Sequence, residues 1–176
     1  MSRRCVRTIA CLVLSLLAAS GGAGAQRLRP DAAQASGSQL TITVQGVAYT
    51  LRLPPAVRVD MDTLEVLDAR EVAGAQYLLL SVNGPSKRKG FGAGACGAGY
   101  ETAIVWLRLV SWRLVASRSE LVESCWQNRI IEVPLTWAGD SGTLTYQQLG
   151  AGAGRRVVCY DRGAPELGVV VTGGRR

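Results

Sequence analysis

The stretch LTITVQGVAYTLRL, residues 40–53, decides how the rest of the chain is read. Leu40, Ile42 and Val44 alternate with Thr41 and Thr43, and Val47, Tyr49, Leu51 and Leu53 resume the alternation after Gln45-Gly46. Period two is the signature of a half-buried strand, and two residues ending in glycine suit a tight hairpin loop. With such a loop Val44 faces Val47, Ile42 faces Tyr49 and Leu40 faces Leu51, so both apolar sets lie on one side. A slip of one residue would bury the threonines instead.

Working outward, Pro54-Pro55 ends this hairpin, because proline donates no ladder hydrogen bond. Val57, Val59 and Met61 alternate again. Tyr77–Val82 and Thr102–Val110 are apolar almost throughout, the pattern of central strands covered on both faces. Ile131, Val133, Leu135 and Trp137 alternate with polar neighbours and Pro134, whose missing donor predicts an edge strand. Shorter strands follow near Leu144, Val157 and Val169. No helical period competes with this pattern. The expectation is an all-β, single-domain antiparallel sandwich or barrel of about nine or ten strands spanning residues 39–173. A flexible lead-in, Gln26–Ser38, precedes it and a short tail, 174–176, follows.

Ahead of that body, Arg3, Arg4 and Arg7, an apolar run from Ile9 to Ala19 and Ala23-Gly24-Ala25 form the three parts of an export signal. The expected mature chain begins at Gln26, is periplasmic or extracellular, and has no integral membrane segment. Loss of three arginines takes the formal net charge from +7 to +4. That is too mild a basicity for a nucleic-acid partner. The only two lysines, Lys87 and Lys89, flank Arg88 in one loop.

The 176 residues include no histidine, which removes the commonest general base and transition-metal ligand. Serine and cysteine triads built on histidine are excluded within this chain. Cys96, Cys125 and Cys159 form no C-x-x-C pair, so no zinc site, and no other metal or cofactor, is expected. In an oxidising compartment the three read as one disulfide and a remainder. Thr102–Val110 and Arg113–Glu123 form the arms of a second hairpin bending at Ser111-Trp112, which brings Cys96 and Cys125 close to opposite one another at its open end. The expected bridge is Cys96–Cys125, with Cys159 a free thiol buried in the run Val157-Val158-Cys159-Tyr160.

The segment Gly90–Gly99 contains a formal G-x-G-x-x-G at Gly92, Gly94 and Gly97, but a β-patterned segment follows it. A dinucleotide site needs a helix there, so no nucleotide is expected. Its plain reading is a solvated connection between central strands. The sharper reading is a basic flap, Lys87-Arg88-Lys89, hinged on glycines such as Gly97 and Gly99 and closing over an anionic partner.

Cys96-Gly97-Ala98-Gly99-x-Glu101, followed by an apolar strand and Glu123-Ser124-Cys125, resembles a group of small exported bacterial proteins of no assigned function. The likeness covers about thirty residues, 96–126. It implies that the two cysteines belong together and that the glycines shape a turn, and it brings no activity or cofactor.

Among the acids, Asp60 and Asp62 would share a strand face but lack the remainder of a calcium loop. Glu101, directly after the glycine segment, is the first candidate for acid chemistry or for a structural cap. Of the four tryptophans, Trp106 and Trp137 fit inward positions, whereas Trp112 and Trp126 are candidate exposed aromatics. The expected function is a non-enzymatic β domain binding a protein or an envelope polymer through the glycine-rich basic loop. The alternative is a carboxylate-dependent hydrolase acting on an envelope glycan with Glu101 as its acid. A purely structural part of an envelope assembly is a third reading.

Overall fold

The hairpin over residues 40–53 has the register its alternation demands: Leu40 pairs with Leu51, Ile42 with Tyr49 and Val44 with Val47. Gln45 and Gly46 both adopt positive φ, at 51° and 76°, the backbone that a primed two-residue hairpin turn requires. The structure, a computed structural model, describes residues 24–54, 62–85, 100–150 and 152–173. Residues 1–23 of the expected export signal (1–25), the Val57–Met61 alternation, Asp60, the Lys87–Lys89 cluster, Cys96, Gly97, Gly99 and the 174–176 tail lie outside the described residues.

Twelve strands are described: β1 (Gln26–Arg27), β2 (Ala32–Ser36), β3 (Gln39–Val44), β4 (Val47–Arg52), β5 (Thr63–Val72), β6 (Ala75–Pro85), β7 (Tyr100–Val110), β8 (Arg113–Glu123), β9 (Arg129–Ala138), β10 (Ser141–Gln148), β11 (Gly154–Asp161) and β12 (Val170–Thr172). They form three antiparallel sheets, ordered β1-β5-β6-β7-β8, β12-β11-β10-β9 and β2-β3-β4. A 3₁₀ turn, Pro165–Leu167, stands between β11 and β12.

The five-stranded sheet is the middle layer. Along β6, Leu78, Leu80 and Val82 join Leu40, Ile42, Leu51 and Leu53 of the three-stranded sheet. The alternate residues Tyr77 and Leu79 join Leu144, Tyr146, Val158 and Tyr160 of the four-stranded sheet. Strand β7 divides likewise, Val105 and Leu107 to one side, Ile104 and Trp106 to the other. The unbroken apolar runs in β6 and β7 thus have a physical cause, since both faces of each strand are buried. Removing one such leucine from water contributes about 1.5–3 kcal/mol. The result is a layered sandwich, not a closed barrel.

β9 ends its sheet, as Pro134 predicted. Three strands depart from the sequence reading. The lead-in Gln26–Ser38 contributes β1 and β2, the latter through Ala33 and Ala35, which are too small to give a strong apolar signal yet pack on the core. β5 escaped notice because a β-bulge between Val66 and Asp68 breaks its period. The same bulge turns Asp68 toward the four-stranded layer.

Candidate functional site

Residues 86–99 connect the end of β6 to the start of β7, where Pro85 pairs with Tyr100 and Gly84 with Glu101. The base of that connection is built from β7 and the β8–β9 turn. Ser124, fully buried, donates through Oγ to Glu101 Oε1 at 2.7 Å and accepts the Gln127 backbone N–H at 3.2 Å. The backbones of Ser124 and Arg129 exchange two hydrogen bonds, at 3.0 and 2.9 Å, which close the turn. Thr102 Oγ1 donates to Glu123 Oε2 at 3.0 Å. Glu101 is therefore an acceptor that seats the turn against β7. Tyr100 beside it is 57% exposed.

A second set of charges backs this base. Arg129 donates from Nε to Gln148 Oε1 at 2.8 Å and from Nη1 to Glu120 Oε1 at 3.0 Å and to the Leu121 carbonyl. Tyr146 donates its hydroxyl to the same Glu120 oxygen. Burial, and then the hydrogen bond to Glu120, push the Tyr146 hydroxyl up to about 12. This network joins β8 of the middle layer to β9 and β10 of the outer one.

Asp68 centres a third set, at the opposite side of the same interlayer space. Arg70 Nε lies 3.1 Å from each of its oxygens, the Tyr160 hydroxyl donates to Oδ2 at 3.1 Å, and Arg162 Nε stands 3.4 Å from Oδ1. Burial first, and the neighbouring Asp68 charge second, raise the Tyr160 hydroxyl well above its ordinary value. Arg162 lies 3.4 Å over the centroid of Trp137, whose ring packs on Gly142. A Cβ at position 142 would stand 2.7 Å from that ring, so glycine is required. Sequence reading passed over Asp68; an acid set among Val66, Leu67 and Ala69 was the available signal.

The candidate aromatics are not free platforms. Trp112, at φ 59° in the β7–β8 bend, stacks on Tyr49 with centroids 4.2 Å apart and rings 12° from parallel. Such a backbone is strained for a bulky residue, and the stack on the neighbouring layer holds it there. Trp126 is half-buried in the β8–β9 turn. Trp106 is buried and donates to the Pro165 carbonyl at 2.9 Å, pinning the β11–β12 connection onto β7.

Cys125 and Cys159 are both disulfide-bonded. This corrects the reading of Cys159 as a free, buried thiol: Val158 and Tyr160 point inward, so the side chain between them takes the outer face of β11 and is only half-buried. The expected Cys96–Cys125 bridge involves a residue outside the described ones. Asp62 is exposed, and its expected companion Asp60 also lies outside them.

Chemically, Glu101, Glu120, Glu123 and Asp68 each accept hydrogen bonds that join one strand or layer to another. Among the described residues no group of three or more potential metal ligands stands together, and no helix is long and apolar enough to cross a membrane. No protein-family model, no curated protein and no solved structure matches this chain.

Proposed function

We propose that this chain works outside the cytoplasm as a non-enzymatic β domain. It holds a protein or an envelope polymer of anionic character at the end of the middle sheet from which residues 86–99 depart. The observation that carries this reading is the state of Glu101 and Glu123 at the base of that segment. Both carboxylates are engaged with hydroxyls of Ser124 and Thr102, an arrangement that supports a rigid mount over an acid–base centre.

Charge distribution supports the same reading. Over the described residues, arginines and acids nearly balance, whereas the excess positive charge of the chain after Ala25 resides in Lys87-Arg88-Lys89 and in Arg175-Arg176. A cationic segment on a near-neutral body directs an anionic partner to one place.

The test is capture from envelope extract by wild type and by a variant with Lys87, Arg88 and Lys89 all replaced by Glu. The captured set should be lost in the variant, and wild-type capture should weaken as salt rises. An unchanged set would refute the role of the basic segment. Glu101→Gln should leave capture nearly intact; a glycan hydrolase using Glu101 would instead lose turnover while keeping its fold.

A further inference from the structure

Between the middle sheet and β9 the two layers leave an open cleft of about 320 Å³. Its two walls differ in kind. From β9 come Ile131, Leu135 and Trp137, and Ile104 of β7 lies below them. The polar groups, Glu65, Ser81 and Thr102, all come from the middle sheet. Trp137 is held fixed by Arg162 above its ring and Gly142 beneath, so this wall is preorganised.

The polar wall is rich in acceptors. Thr102 already gives its hydroxyl proton to Glu123, so toward the cleft it offers lone pairs. Glu65 is exposed at the mouth, accepts only, and is the one ionisable side chain among the described lining residues. The lining side chains that can donate are Ser81 and the Trp137 indole, and neither carries a charge. Beside the Glu65 carboxylate an amine or alcohol head finds acceptors, whereas a carboxylate or phosphate head would meet repulsion.

We propose that this cleft binds a small amphiphile whose apolar chain lies against β9 and whose amine or alcohol head donates to Glu65 and Thr102. The volume is at the lower end of small-molecule sites and suits a chain of about eight carbons. The site is independent of the basic segment, which favours the opposite charge.

Octylamine, 1-octanol and octanoate, equal in chain length, separate the contributions when titrated into the whole protein by calorimetry. Octylamine should bind about threefold to fivefold more tightly than octanol, the scale of an ion pair at an exposed mouth, and octanoate most weakly. Glu65→Gln, which removes the charge but keeps an accepting oxygen, should bring octylamine down to about the level of octanol and weaken octanol far less than octylamine. Ser81→Leu, which fills the cleft, should weaken octylamine and octanol alike with circular dichroism and melting temperature retained. Pro134→Phe, at the exposed rim, should do the same and serves if Ser81→Leu does not fold. The proposal is overturned if octanoate matches octylamine, if none of the three binds at millimolar concentration, or if a folded cleft-filling variant binds octylamine and octanol as wild type does.

Discussion

On one side of the middle sheet the space between layers is filled by aliphatic side chains, Leu78, Leu80, Val82, Val105 and Leu107 meeting Leu40, Ile42, Leu51 and Leu53. On the other side, Tyr146, Tyr160, Trp106 and Trp137 meet across carboxylates, with Glu120 and Asp68 each taking a tyrosine hydroxyl and an arginine. The aliphatic side coheres through burial, which is non-directional and tolerates small shifts of one sheet on the other. The aromatic side adds directional bonds whose geometry specifies how the outer sheet sits, at the cost of desolvating charges. One layer is attached mainly by area, the other by area plus fixed points. The candidate loop base is braced by the second kind, through Arg129 and the β8–β9 turn.

The sharpest way to break this contrast is on the aliphatic side. Leu80→Ala at a fully buried position should cost about 3–4 kcal/mol by guanidinium denaturation, from lost transfer energy and the cavity left behind. Asp68→Asn tests the other side: with Arg70 and Arg162 only partly exposed, loss of their shared carboxylate should cost about 2–3 kcal/mol. A near-neutral result would mean that the Asp68 cluster is dispensable and that both layers are held by area alone.

Alkaline titration sharpens the comparison further. A tyrosine in the unfolded chain ionises near pH 10, whereas folded Tyr146 holds its proton up to about 12. Its contribution is therefore complete below about pH 10 and is lost as pH rises from 10 toward 12, on the order of 2 kcal/mol in all. Tyr160, also raised, adds to the same limb. Melting temperatures measured from pH 8 to 12 should fall above pH 10, and less steeply in Tyr146→Phe. Smallest of all, Arg155→Ala removes an ion pair with Glu132 whose arginine is 64% exposed, and should change stability by no more than about 0.5 kcal/mol.

Much of this architecture is legible residue by residue. The 40–53 hairpin and its register, the two central strands, the Ser111-Trp112 bend and the edge position of β9 all follow from period, turn residues and one proline. β5 was hidden because a bulge interrupts its alternation, and β2 because alanine carries little apolar signal. The site was less legible than the fold. Glu101 stood out by its place after the glycines, but its partner Ser124 lies 23 residues away and is brought to it only by strand pairing. Trp112 was expected to be exposed, and its stack on Tyr49 depends on a contact between two different sheets.

By itself the sequence determined which segments form strands, which of them are buried on both faces and where the chain reverses, because these are local consequences of periodicity and turn chemistry. Only the tertiary structure decided that there are three layers, that Asp68 and Glu120 fasten two of them, and that Glu101 seats a turn. Those outcomes depend on contacts between residues distant in the chain, and no local pattern encodes which buried carboxylate a given arginine or tyrosine will meet.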